Sequence, residues 1–128
     1  MPKKAIFVRI SDGQNERSFD AIALDKNNSL TFQDDEHAWH TVTLGANHIH
    51  YLKQGEISVT LTFQEAHYHP AEITVSGKTL TLLVYTESLR QTAESLIIHY
   101  SLWDGEERLS QHQFTLMFKE GASHDIRT

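Results

Sequence analysis

Apolar and polar residues alternate along most of this chain. In Ile57-Ser58-Val59-Thr60-Leu61-Thr62-Phe63 every odd residue is apolar and every even one polar. A period of two sends alternate side chains to opposite faces, which is the signature of a strand with one face buried. The same alternation, or enrichment in β-branched and aromatic residues, predicts strands over Ala5 to Ser11, Arg17 to Leu24, Ser29 to Gln33, Trp39 to Leu44, His48 to Lys53, Tyr68 to Val75, Thr79 to Glu87, Leu96 to Trp103 and Leu109 to Phe118. Asp12-Gly13, Asn27-Asn28, Gly45-Ala46-Asn47, Gln54-Gly55, Ser76-Gly77 and Asp104-Gly105 separate the ten candidates and tolerate positive φ, as hairpin turns require. Pro70 cannot donate to a ladder, so it predicts a strand end, a bulge or an edge.

Loop parity decides which side chains share a face. A two-residue turn at Ala46-Asn47 sets Leu44 opposite Ile49, Val42 opposite Tyr51 and His40 opposite Lys53, with Thr41, Thr43, His48 and His50 on the other face. A three-residue loop at Gln54-Gly55-Glu56 then sets Tyr51 opposite Val59 and Ile49 opposite Leu61, continuing one apolar face. Leu109 and Phe114 differ in parity, so a bulge is expected between them. Glu87 to Ser95 is the one stretch with helical character, too short to hold as a helix alone, and it is expected to form a loop. Ten sequential antiparallel strands exceed what an open twisted sheet usually carries, and closure removes its edges. The expected fold is all-β, an antiparallel up-and-down barrel of about ten strands, with a two-layer β-sandwich as the alternative.

Composition bounds this picture. With 128 residues, 39% apolar and 22% charged, the chain is read as one β-barrel domain over 1–128, with an ordered core over 4–119 and a tail over 120–128. It has no Cys, so disulfides play no part. A net charge of −6 disfavours nucleic acid and anionic membranes as partners. The apolar run Ala5-Ile6-Phe7-Val8 is too short for a signal peptide or a membrane span, so a cytoplasmic location is expected. Nine histidines make the charge sensitive to acidification, which reverses its sign as they protonate.

Several features together resemble one family. They are Leu96-Ile97-Ile98-His99-Tyr100-Ser101-Leu102 followed by Gly105-Glu106 and Leu109-Ser110, the preceding Tyr85-Thr86, the course of Ile57 to Phe63 after Lys53-Gln54-Gly55, and the opening hairpin at Asp12-Gly13. The chain resembles the YwiB-like family of small bacterial lipocalin/calycin-type barrels over nearly its whole length. It departs from the family pattern at Lys53, where an Arg is usual, at Ala66, where a Gly is usual, and at Ile73, where a Tyr is usual. The resemblance implies a closed or nearly closed barrel with an interior, and it supplies no reaction.

Candidate chemistry is sparse. His48 with His50, and His67 with His69, each point to one face of a strand, as zinc ligands would. The two pairs lie two strands apart, about 9.6 Å between backbones, too far for one ion. Solvent-facing histidines without metal or other cofactor are therefore expected. Asp34-Asp35-Glu36 and Glu106-Glu107 read as solvated turn charge rather than as an acid/base pair. There is no Gly-x-Ser-x-Gly elbow, phosphate loop or Cys nucleophile, so no enzymatic activity is expected. Phe32, Tyr51, Phe63, Tyr85, Tyr100, Phe114 and Phe118 lie on predicted strands. The leading expectation is a noncatalytic binding module that takes a small, partly apolar or amphiphilic molecule into its lumen. Tyr51, Phe63 and Tyr100 would line that lumen, and Lys53 would anchor an acidic head group. The alternative is a filled barrel that pairs with another protein or with itself as a homodimer, and a histidine metal site comes third.

Overall fold

The computed structural model describes residues 2–119, and the expected tail over 120–128 lies outside them. Ten strands follow in chain order: β1 (Lys3–Ser11), β2 (Glu16–Lys26), β3 (Ser29–Gln33), β4 (Trp39–Leu44), β5 (Ile49–Gln54), β6 (Ile57–Phe63), β7 (Tyr68–Val75), β8 (Lys78–Gln91), β9 (Ser95–Asp104) and β10 (Glu107–Phe118). Each pairs antiparallel with its sequence neighbours, and β1 pairs with β10 from Ile6↔Phe118 to Ser11↔Gln113. The sheet is therefore a closed up-and-down barrel rather than a sandwich. Asn27-Asn28 and Ser76-Gly77 carry positive φ at both turn positions, which gives tight hairpins a twist matching that of their strands.

The β4–β5 register agrees with the parity argument residue by residue: Leu44↔Ile49, Val42↔Tyr51, His40↔Lys53. The β5–β6 register does not. Ile49 pairs with Phe63, Tyr51 with Leu61 and Lys53 with Val59, a slip of two residues from the expected pairing. A slip of two leaves every side chain on its expected face, so alternation alone cannot detect it. The observed register brings the buried Ile49 and Phe63 side by side.

The expected loop over Glu87 to Ser95 is also corrected. β8 continues to Gln91 through a bulge between Thr86 and Ser88, pairing Arg90 with Ile97 and Gln91 with Leu96. Its extension is held by the Glu65 carboxylate, which accepts the Leu89 N–H at 2.9 Å. The bulge in β10 falls between Arg108 and Ser110, beside Leu109 rather than farther along the strand. Pro70 sits where the β6–β7 ladder has already ended at Thr60↔Glu72, so only its β8 side is paired.

One end of the barrel carries the β1–β2, β3–β4, β5–β6, β7–β8 and β9–β10 turns, and the other, the terminal end, carries the start of β1 and the end of β10. The core, which includes Ile6, Val8, Phe32, Ile49, Phe63, Ile98 and Leu116, fills the barrel interior. At the turn end several inward-facing side chains, Ile57, Val75 and Leu80 among them, reach solvent.

Candidate functional site

At the turn end the barrel wall is uneven in height. The β5–β6 ladder stops at Lys53↔Val59 and the β8–β9 ladder at Leu83↔Trp103, yet β6, β7 and β8 stay paired to one another through Ile57↔Val75 and Val75↔Lys78. A three-stranded flap thus rises beyond the rim. Ile57, Val75 and Leu80 lie on its inner face by alternation, in line with Val59, Ile73 and Leu82. They are 44%, 44% and 56% exposed, an apolar shelf that the described residues do not cover. Beside it, a cleft of about 530 Å³ lies between the β3–β4 and β5–β6 turns, lined by Glu36, His37, Ala38, Lys53, Gly55, Glu56 and Ile57.

Opposite the shelf stands a buried polar network. Asp34 closes the β3–β4 turn, where its Oδ1 accepts the backbone N–H groups of Glu36 at 2.8 Å and Ala38 at 2.9 Å. Its Oδ2 meets His40 Nε2 at 2.8 Å and Arg17 Nη2 at 3.3 Å, and Arg17 also pairs with Asp35. The other imidazole nitrogen, Nδ1, lies 2.7 Å from the Tyr51 hydroxyl. His40 is 0% exposed and stacks on Phe32, with ring centroids 4.9 Å apart.

Burial would raise the Asp34 carboxyl, but the bonds from His40 and from the backbone of Ala38 and Glu36 outweigh it and hold the group well below the usual carboxylate range. Burial pushes His40 down, against the opposing pull of Asp34, and it pushes the phenols of Tyr51 and Tyr100 up. At neutral pH the imidazole and both phenols are therefore uncharged. One expectation is corrected here: Asp34 is not solvated turn charge. His40 faces inward, as the loop parity predicts. The missing signal was an Asp at the turn six residues before it, able to satisfy both the turn and the ring.

Of the expected lining only Lys53 borders the cleft; Tyr51, Phe63 and Tyr100 face the barrel interior and pack in two separate aromatic contacts. Tyr51 on β5 meets Phe114 on β10, half-way round the barrel, with ring centroids 5.7 Å apart, so the interior is bridged at this level. Phe63 packs on Tyr100 at 4.8 Å, and Tyr100 stacks on His112 at 4.9 Å. Phe63 is 2% exposed, whereas Tyr51 and Tyr100 keep some accessible surface. Lys53 follows Tyr51 on the same face at the rim, within the cleft, and makes no ion pair among the described residues. Thr86, opposite Tyr100, is fully enclosed, and its Oγ1 has no hydrogen-bond partner.

The two histidine pairs sit in different settings. His48 and His50 share a face with ring centroids 4.9 Å apart, while His67 precedes β7 and His69 Nε2 lies 2.9 Å from Gln64 Oε1. Among the described residues no group of three or more His, Cys, Asp or Glu is placed to hold an ion. On the outer wall, Tyr68 packs at a tilt on Tyr85 at 4.6 Å and stands edge-on to Trp103 at 6.0 Å. That cluster lies beside Ser101, which is buried while donating to Glu87 and accepting the Trp103 indole N–H.

No protein-family model and no curated protein matches this chain. Among solved structures, the crystal structure of ywiB protein from Bacillus subtilis matches with a TM-score of 0.63 and 17% sequence identity, covering 91% of this chain and 92% of that one. At that identity the likeness speaks for the fold alone: this chain has a YwiB-like closed β-barrel.

Proposed function

We propose that this protein is a noncatalytic binding barrel of the lipocalin/calycin type that holds a small amphiphilic molecule in its mouth. The observation that carries the reading is the flap, whose inner face leaves Ile57, Val75 and Leu80 in water at the same end as the polar network. Uncovered apolar surface facing a concave site is what a partly apolar ligand would cover. Lys53, without an ion-pair partner beside that shelf, would take an acidic head group. Tyr51 and Tyr100 would form the floor, with Phe63 packed below. The reading requires no cofactor, metal, nucleic acid or membrane, and it carries a bacterial, cytoplasmic setting with it. Native mass spectrometry of the freshly purified protein, followed by titration with anilinonaphthalene sulfonate and displacement by decanoate, tests it. The expected result is saturable dye binding that decanoate displaces and that Lys53→Glu weakens about tenfold, the equivalent of one charge-assisted contact. Absence of dye and decanoate binding would overturn it.

A second reading is favoured by the Tyr68–Tyr85–Trp103 cluster on the outer wall, which would serve as a contact surface for another protein or a second copy. Sedimentation velocity at high concentration separates the two: self-association lost in Tyr68→Ser supports contact through this wall, and a monomer throughout removes the homodimer.

A further inference from the structure

The polar network does more than close a turn, because its hydrogen atoms can be counted. The Asp34 carboxylate is an acceptor only, so His40 must present Nε2–H to it across 2.8 Å. A neutral imidazole has one N–H, which leaves Nδ1 as an acceptor. The Tyr51 hydroxyl, 2.7 Å away, must therefore donate to Nδ1. Its proton is committed, and the remaining lone pairs of Tyr51 Oη can only accept. The Tyr51 side chain starts opposite Val42, and its hydroxyl reaches His40, the next inward position toward the rim. It therefore leans toward the mouth. Tyr51 Oη thus keeps acceptor capacity that no hydrogen bond among the described residues uses.

We propose that the Asp34–His40–Tyr51 chain fixes Tyr51 as an obligatory hydrogen-bond acceptor, so that the mouth selects amphiphilic acids carrying a hydroxyl or N–H close to the head group. The inference rests on the binding reading above and adds its chemical specificity. With the carboxylate at Lys53 and the alkyl chain along Ile57, Val75 and Leu80, a donor near the head lies beside Tyr51, whereas a carbonyl there would set two acceptors against each other. The Asp34 bonds that fix the tautomer lie outside the ligand's reach, so Asp34 is a positioning residue.

Isothermal titration of the full chain with decanoate, β-hydroxydecanoate and β-oxodecanoate tests this. The expected result is that β-hydroxydecanoate binds about tenfold tighter than β-oxodecanoate, the worth of one buried hydrogen bond, and that Tyr51→Phe abolishes the difference. In Asp34→Asn the new side chain can keep its oxygen on the turn and offer N–H to His40. That moves the imidazole proton to Nδ1 and frees the Tyr51 hydroxyl to donate, so the preference should reverse toward the oxo acid. A merely structural role for Asp34 would not produce such a reversal. Where Asp34→Asn fails to fold, Tyr51→Phe decides alone. Equal binding of all three acids, or a preference that survives Tyr51→Phe, would overturn the inference and leave the binding reading intact. Binding of none would overturn both.

Discussion

Asp34 holds its place because four groups donate to it from three directions: a turn backbone, an imidazole and a guanidinium. A buried carboxylate so satisfied resists protonation, and a buried neutral imidazole resists acquiring charge. Both effects have the same sign. The folded His40 has a lowered affinity for protons, so from about pH 6.5 downward the unfolded chain binds protons that the folded one does not, and stability declines. His112, lowered by burial against a small opposing effect of Asp12, adds to that decline. Asp34, also lowered, withdraws its contribution only below about pH 4, where the unfolded carboxyl protonates. Urea unfolding should therefore show a lower midpoint at pH 5.5 than at pH 7.5 in wild type, and a smaller difference in His40→Gln; a midpoint that rises on acidification would contradict this. The sequence shows nine histidines and a run of acids but not which of them meet. Alternation puts His40 inside, yet the partner that makes burial tolerable comes from a turn whose geometry no period describes.

Among the elements, the strands were legible because alternation is a local property, and β3, β4, β6 and β7 have the expected limits. Two properties were not. A two-residue slip between β5 and β6 preserves every face, so only the packing of Ile49 against Phe63 selects the register. The continuation of β8 past Thr86 depends on a bulge and on Glu65, which lies far away in sequence. The flap was likewise hidden, since it arises from ladders of unequal length rather than from composition. It also separates binding from stability. Ile57→Ser and Leu80→Ser, at exposed positions, should change unfolding free energy by no more than about 0.5 kcal/mol while weakening dye binding. Phe63→Ala should cost about 3–5 kcal/mol through the cavity it leaves in the core. Thermal and urea unfolding beside dye titration checks both. Strong destabilisation by the two serine variants would mean that the shelf is core rather than site.

For the whole molecule, closure pairs β1 with β10, while the flap keeps an unpaired stretch of backbone where β8 over residues 78–82 runs beyond the β9 ladder. What remains for function is the two ends and the outer wall. The turn end combines an apolar shelf that the described residues leave exposed, the cation Lys53 and the Asp34–His40–Tyr51 hydrogen bonds. Strand number favoured the barrel over a sandwich without deciding between them, and the form of its ends was hidden because it depends on how far each ladder runs. The most direct test of the mouth as a binding site is chemical-shift mapping of the isotopically labelled protein during decanoate titration. The account predicts saturable shifts at Lys53, Ile57, Val75, Leu80 and Tyr100, with Tyr68 and Trp103 unmoved; shifts confined to the outer wall, or none at saturating decanoate, would contradict it.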